Sequence, residues 1–127
     1  GGGLVGAETA EYLANKGHQV TIVEMMDKIA AGESTTVLPL MMKDFADHNV
    51  KQLVNTKVDH IENNIVYTAN DQIKADTIIN ALGSKKNIFD DSSITIPHVC
   101  VGDCSGERTA DIASAIRTAY HAANEIG

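Results

Sequence analysis

A glycine-rich loop and one carboxylate are the parts of this sequence whose types and spacing could do chemistry. The first six residues read GGGLVG, a G-x-G-x-x-G pattern, and Glu24 follows 18 residues after Gly6. Gly1 suits a tight turn, Gly3 lets backbone approach a phosphate, and Gly6 lets a helix pack close to a sheet. The acid suits the hydroxyls of an adenosine ribose. Together they predict the two ends of a dinucleotide site.

A helix is predicted directly after the loop, because apolar residues recur near one helical face from Val5 to Ala14. Gly17 stands where a left-handed C-terminal cap is expected. The amides at the helix start, on Leu4 and Val5, combine with the helix dipole to form an anion site.

A strand is predicted after Gly17, in the β-branched run that ends at Glu24. A carboxylate at this place accepts hydrogen bonds from ribose hydroxyls and repels a 2′-phosphate. Lys28 is the only nearby base, so NAD(H) is favoured over NADP(H). The alternative is a glycine turn in an unrelated α/β domain, with Glu24 at a solvated strand end.

The elements predicted to position this site are both helices and strands, so the expected fold class is α/β. A second helix is predicted from the Leu38 to Phe45 periodicity, and a β-meander follows with Asn63-Asn64 as a tight turn. Residues 76–82 predict a buried strand. A connector then divides the chain into a nucleotide domain over residues 1–84 and a C-terminal segment over 85–127, which ends in an amphipathic helix.

The overall composition excludes several classes of protein. The formal net charge of −7 argues against binding to nucleic acid or anionic membranes, and no apolar run is long enough to span a bilayer. A cytoplasmic protein is therefore expected. The chain lacks an initiator Met and begins inside the loop, so we expect a fragment lacking the first strand of the sheet. The sheet edge left unpaired predicts self-association into a homo-oligomer.

Three stretches of the sequence resemble the pyridine nucleotide–disulfide oxidoreductase superfamily of flavoproteins. They are residues 1–24, residues 76–87 and residues 99–127, in the order of that superfamily. The resemblance implies a Rossmann-type three-layer NAD(P)-binding domain with an antiparallel meander, followed by the partial tail of an FAD domain. It implies that Gly83 lies at the crossing between the two domains. It also implies that Gly102 and Asp103 contact the flavin ribityl chain and that Glu8 lies near the nicotinamide, although Glu8 could equally be a solvated acid.

Within the superfamily, the sequence is most similar to the C-terminal part of NADH:flavin oxidoreductases such as 2,4-dienoyl-CoA reductases and enoate reductases. These carry an Old-yellow-enzyme-like FMN barrel and an iron–sulfur cluster in their N-terminal domains. The resemblance implies that electrons pass from NADH to FAD and onward to an unsaturated substrate. The barrel, the cluster cysteines and a redox C-x₄-C are not in this sequence, so no catalytic residue is assigned. The spacing of Cys100 and Cys104 predicts no metal site.

Three alternatives stay open at this point. One is a flavoprotein of the NADH oxidase or disulfide reductase type. Another is a non-enzymatic nucleotide-binding module. The third is a methyltransferase, which also uses a glycine loop and an acid to hold an adenosyl group, but the meander and the Gly102-Asp103 pair argue against it.

Overall fold

The computed structural model describes residues 1–85, 89–105 and 111–126. The chain divides into two compact units, Gly1–Gly83 and Ser84–Gly127, hereafter unit 1 and unit 2. Their assignment to an NAD(H)-binding and an FAD-binding domain stays a prediction.

The first part of unit 1 alternates helices with parallel strands. Helix α1 spans Leu4–Asn15, strand β1 spans Thr21–Val23, helix α2 spans Leu38–Asp47 and strand β2 spans Lys51–Leu53. β1 and β2 pair in parallel, with Ile22 opposite Gln52. This arrangement confirms the predicted α/β class.

A single glycine, Gly17, causes helix α1 to end. Gly17 has φ of 87°, a conformation that other residues adopt only at a cost. Its N–H donates to the carbonyl of Ala14, and the N–H of His18 donates to the carbonyl of Leu13. These two bonds are the Schellman pattern, which ends the helix and turns the chain toward β1.

One apolar core in unit 1 holds both helices against the parallel pair. α1 contributes alanines, which allow close packing, while Met41 and Phe45 of α2 are 2% and 1% exposed. The predicted apolar face of α2 is therefore confirmed. The buried members of this cluster are Ala7, Ala10, Ala14, Ile22, Ile29, Ala30, Met41, Phe45 and Val50.

The second part of unit 1 is the predicted antiparallel meander. Strands β3 (Val58–Glu62), β4 (Ile65–Thr68) and β5 (Gln72–Lys74) form a three-stranded sheet in that order. Asn63 and Asn64 both have positive φ, 49° and 61°, as a two-residue hairpin turn matching the strand twist requires.

The predicted buried strand over residues 76–82 is wrong. These residues form no strand, and Ile79 and Leu82 are 49% and 77% exposed. A strand exists only by pairing, and within the described residues the parallel sheet contains β1 and β2 alone. The apolar run is present, but no neighbouring strand among those residues covers it.

Unit 2 contains a short 3₁₀ turn at Gly102–Cys104 and helix α3 at Ile112–Glu125. The predicted C-terminal helix is confirmed, yet its apolar stripe faces outward: Ile112 and Ile116 are 83% and 65% exposed. None of the helices described in this chain is long and apolar enough to cross a membrane.

Candidate dinucleotide site

Glu24 is the first residue after β1, and its backbone extends the pairing with the chain around β2. Its N–H donates to the carbonyl of Leu53 at 2.8 Å, and its carbonyl accepts from the N–H of Thr56 at 2.9 Å. The residue is 9% exposed. The end of the strand therefore holds the acid in a fixed place.

The carboxylate of Glu24 is hydrogen-bonded through both oxygens to backbone amides. Oε2 accepts from the N–H of Gly2 at 2.6 Å, and Oε1 accepts from the N–H of Met26 at 2.8 Å. Burial by itself raises the pKa of Glu24, but the hydrogen bonds from the backbone N–H groups of Met26 and Gly2 outweigh it, so that the pKa is lowered. The acid is thus held in its ionised form.

Two glycines of the loop are required by lack of space. A Cβ on Gly6 would overlap the carbonyl oxygen of Gly1, and a Cβ on Gly1 would overlap the carbonyl oxygen of Ala81. The first turn of α1 therefore lies directly against the chain that leads into it. Any side chain at Gly6 would move the helix start.

Gly3, unlike Gly1 and Gly6, lies in open space, because a Cβ there would meet nothing within 4 Å. It is the N-cap of α1, where no side chain accepts a hydrogen bond from the helix amides and no acidic residue occupies the first turn. Leu4 and Val5 follow it and are exposed. An uncapped helix N-terminus facing open space can accept an anion.

Gly2 belongs to the site, although the sequence reasoning did not select it. It occupies a variable position of the G-x-G-x-x-G pattern, yet it is buried, and a Cβ there would lie 2.6 Å from Cδ1 of Ile29. Its N–H bonds Glu24 and its carbonyl accepts from Ala30 at 2.7 Å. The only sequence signal was a third glycine where the pattern does not require one.

The other predicted site residue in α1 lies apart from the loop. Glu8 is exposed in the second turn of α1. Gly83 is also exposed, with φ of 87° and nothing within 4 Å of its Cβ position. The structure brings Gly1, Gly3, Leu4, Val5, Gly6 and Glu24 to the start of α1 and the end of β1.

In unit 2 the two remaining predicted residues form the 3₁₀ turn. Gly102 has φ of 62°, and its N–H donates to Oγ1 of Thr118 in α3 at 2.9 Å. Asp103 is exposed in the same turn. The N-terminus of α3 has its own capping box, in which Oδ1 of Asp111 accepts from the N–H of Ser114 at 2.6 Å. One amide of that helix start is thereby satisfied from within.

Among the described residues, no group of three or more His, Cys, Asp or Glu side chains could hold a metal ion. A glycine loop, an open helix N-terminus and an acid at a strand end lie together in this α/β fold, and these are the features from which a dinucleotide site is predicted.

The sequence profile of the family described as "Pyridine nucleotide-disulphide oxidoreductase" matches residues 1–99, and the chain belongs to this family. The chain is 45% identical over 133 residues to bilirubin reductase of Mediterraneibacter gnavus, covering 99% of this chain and 21% of that protein. It is 30% identical to cinnamate reductase of Clostridium sporogenes, covering 99% and 20%. The chain thus spans about a fifth of the length of these relatives.

Solved structures agree with this assignment. A 2-naphthoyl-CoA reductase in complex with 2-naphthoyl-CoA superposes with a TM-score of 0.72 and 26% identity over 94% of this chain and 19% of the other. A pyridine nucleotide-disulfide family oxidoreductase from Enterococcus faecalis superposes with a TM-score of 0.71 at 18% identity over 99% of this chain and 37% of that one, a likeness in fold alone.

Proposed function

We propose that unit 1 binds NAD(H) within a longer flavin-dependent oxidoreductase, where hydride passes from the nicotinamide to FAD. The observation that carries this proposal is the open, uncapped start of α1 at Gly3 beside the ionised carboxylate of Glu24. A diphosphate and a ribose are the two coenzyme groups that such a pair of features fits.

The glycine loop would hold the coenzyme diphosphate. Gly3 leaves room for a phosphate to reach the backbone, and the amides of Leu4 and Val5 lie in the first turn, where the helix dipole favours negative charge. No acidic side chain in that turn competes for the position.

Glu24 would hold the adenosine ribose. Each of its oxygens accepts one backbone N–H and keeps a further lone pair, which can accept a hydrogen bond from a ribose hydroxyl. Because the group stays ionised, a 2′-phosphate at the same place would meet a negative charge. This is the physical reason to propose NAD(H) over NADP(H).

The bound nicotinamide supplies a hydride and FAD accepts it, whereas the protein supplies position and electrostatics. In unit 2, the left-handed turn at Gly102 presents Asp103, which we propose contacts the flavin ribityl chain. We propose that Glu8 lies near the nicotinamide and that Gly83 lies at the crossing between the NAD(H)-binding and FAD-binding domains. FMN and an iron–sulfur cluster belong, in this proposal, to the rest of the longer protein.

An unsaturated small molecule is the proposed substrate of the longer protein. The support is the identity to bilirubin reductase and cinnamate reductase, which extends over 99% of this chain. A disulfide-reductase function is the second candidate, because the chain is 32% identical to dihydrolipoyl dehydrogenase of Mycobacterium leprae over 69% of its length. The full-length enzyme, assayed with NADH under anaerobic conditions, should reduce bilirubin or cinnamate faster than lipoamide; the reverse order would favour the second candidate.

Coenzyme choice tests the role of Glu24. Calorimetric titration should give tighter binding of NADH than of NADPH, and Glu24→Arg should reverse that order because it replaces the repelling charge with an attracting one. An unchanged order in the variant, or no binding of either coenzyme by the chain and by the full-length enzyme, would contradict the proposal.

Gly3→Ala tests the loop directly. The new Cβ meets no protein atom, so the melting temperature should not change, but it fills the space proposed for the diphosphate, and NADH binding should weaken about tenfold or more. If the Gly3→Ala chain binds NADH as tightly as the natural one, the diphosphate does not bind beside Gly3.

Self-association is also proposed. Among the described residues no strand pairs with the side of β1 that faces away from β2. An exposed strand edge is a template for pairing with another chain. Analytical ultracentrifugation should therefore show concentration-dependent oligomers, which a proline in β1 (Val23→Pro) should reduce; a monodisperse monomer at all concentrations would contradict this.

A further inference from the structure

Gly2 is held on both sides by one short stretch of chain, Glu24 to Ala30, which we call the clamp segment. At one end of the segment, the carboxylate of Glu24 accepts from the N–H of Gly2 at 2.6 Å. At the other end, the N–H of Ala30 donates to the carbonyl of Gly2 at 2.7 Å. Both backbone polar groups of this glycine are therefore bonded to the same segment.

Packing reinforces these two hydrogen bonds. A Cβ on Gly2 would lie 2.6 Å from Cδ1 of Ile29, 3.1 Å from Cβ of Glu24 and 3.1 Å from Cγ2 of Ile22. Two of these three atoms belong to the clamp segment. The glycine and the segment are thus in direct contact with no room between them.

The backbone at Ala30 indicates that this arrangement is imposed by its surroundings. Ala30 is fully buried and has φ of 52°, a left-handed conformation unfavourable for a residue with a Cβ. Such a conformation persists only where the surrounding structure determines it. Here it directs the N–H of Ala30 at the carbonyl of Gly2.

The clamp segment is itself anchored. The N–H of Asn55 donates to the carbonyl of Met26 at 2.8 Å, and Oε1 of Glu24 accepts from the N–H of Met26. Ile29 and Ala30 belong to the core of unit 1. The position of Gly2 is therefore tied to the sheet and the core, and Gly3 is the next residue along the chain.

We propose that the clamp segment sets the position of the phosphate-binding loop through Gly2, and that Gly2, Ile29 and Ala30 are positioning residues for the dinucleotide. This inference rests on the proposed function. None of the three is required to touch the coenzyme; they act by fixing where Gly3 and the first amides of α1 stand.

Gly2→Ala tests the clamp, with a rescue built into the structure. The new Cβ pushes against Cδ1 of Ile29, so the loop shifts and NADH binding should weaken about tenfold or more. Ile29→Val removes Cδ1, and the double variant should regain part of the affinity.

A second pair of variants separates positioning from stability. Ile29→Ala loosens the clamp, whereas Val50→Ala shortens a buried side chain of the same core that is not in the clamp. Both should lower the melting temperature, but at a temperature where both are folded only Ile29→Ala should weaken NADH binding. Equal losses of affinity in the two variants would overturn the inference.

The outcomes distinguish this inference from the proposed function. If the natural chain and the full-length enzyme bind no NADH, the proposed function fails and the clamp has no dinucleotide to position. If the natural chain binds NADH and Gly2→Ala binds it equally well, or the double variant regains nothing, the proposed function stands and the clamp is wrong.

Discussion

Unit 1 and unit 2 position their predicted ligand residues by different physical means. The described apolar residues that are buried lie in unit 1, except for Ala122 in α3. Glu24 is held by hydrogen bonds beside a packed core. In unit 2, the N–H of Gly102 donates to Thr118 and the N–H of Ser105 donates to the carbonyl of Gly102. The site in unit 1 thus combines hydrogen bonds with a buried apolar core, whereas hydrogen bonds hold the turn in unit 2 with few buried apolar residues among those described.

Gly6 in unit 1 and Gly102 in unit 2 are required for different physical reasons. Gly6 is needed because a Cβ would overlap the backbone of Gly1, so the requirement is one of space. At Gly102 the nearest atom to a Cβ would be Cβ of Ala115, at 3.8 Å, and the requirement is the positive φ of 62°. An alanine would therefore displace a helix in unit 1 and only strain a turn in unit 2.

The largest expected effect comes from the core of unit 1. Phe45→Ala removes a side chain that is 1% exposed and should lower the free energy of unfolding by about 3–5 kcal/mol. Ile116→Ala in α3 removes an apolar side chain that is 65% exposed and should change it by no more than about 0.5 kcal/mol. Chemical denaturation measures both.

This pair of variants tests whether unit 1 depends on packing more than unit 2 does. If Ile116→Ala costs as much as Phe45→Ala, the exposed face of α3 is covered in solution and unit 2 depends on packing as unit 1 does.

Acid should weaken unit 1 through Glu24. Its pKa is lowered on folding from the ordinary value of 4.5, so its contribution to stability is complete above that value and is lost as the pH falls through the folded pKa. Glu24→Gln leaves one backbone amide without an acceptor and should cost about 2 kcal/mol at pH 7. The difference in unfolding free energy between the natural chain and this variant should narrow as the pH falls below 4.5.

Glu8→Gln is the matched control, because Glu8 is an exposed acid of the same unit. If the difference in unfolding free energy between the natural chain and Glu24→Gln stays constant from neutral pH into the acid range, the charge of Glu24 does not matter for folding.

Sequence patterns predicted those features of this fold that depend on neighbours along the chain. The cap at Gly17 and the turn at Asn63-Asn64 follow from backbone conformations that these residue types favour, and the apolar face of α2 follows from helical periodicity. In the same way, Glu24 could be selected because the β-branched run ends there.

Features that depend on distant parts of the chain were not predictable in this way. The apolar run at 76–82 indicates burial, but whether a strand forms depends on a pairing partner elsewhere. Gly2 could not be selected, because its requirement comes from Ile29 and Ala30, about 28 residues away. The amphipathic pattern of α3 predicts a helix but does not state what its apolar face meets.

In unit 2 a helix cap should have a larger effect than any exposed apolar residue. Asp111 and Ser114 form a reciprocal capping box at the start of α3. Asp111→Ala should destabilise the helix by about 1 kcal/mol, measured as faster amide hydrogen exchange in its first two turns. Asp111→Asn, which keeps an acceptor oxygen, is the control and should restore most of the protection. Equal exchange in the alanine and natural chains would show that α3 is held by something other than its cap.

The smallest effect is expected at the loop that precedes the 3₁₀ turn, and it depends on pH. Nδ1 of His98 lies 2.9 Å from the carbonyl oxygen of Ile96, and Nε2 lies 2.9 Å from Oδ2 of Asp91. The carbonyl of Ile96 and then the carboxylate of Asp91 raise the pKa of His98 above 6.5. The protonated ring donates to both oxygens, so both hydrogen bonds are complete below pH 6.5. The neutral ring has one N–H and loses one of them as the pH rises through the raised pKa. Amide exchange between Asp91 and His98, corrected for its intrinsic pH dependence, should therefore accelerate above that pKa in the natural chain. In His98→Gln it should show no such step, because glutamine has no proton to lose. A step that persists in His98→Gln would assign it to another group.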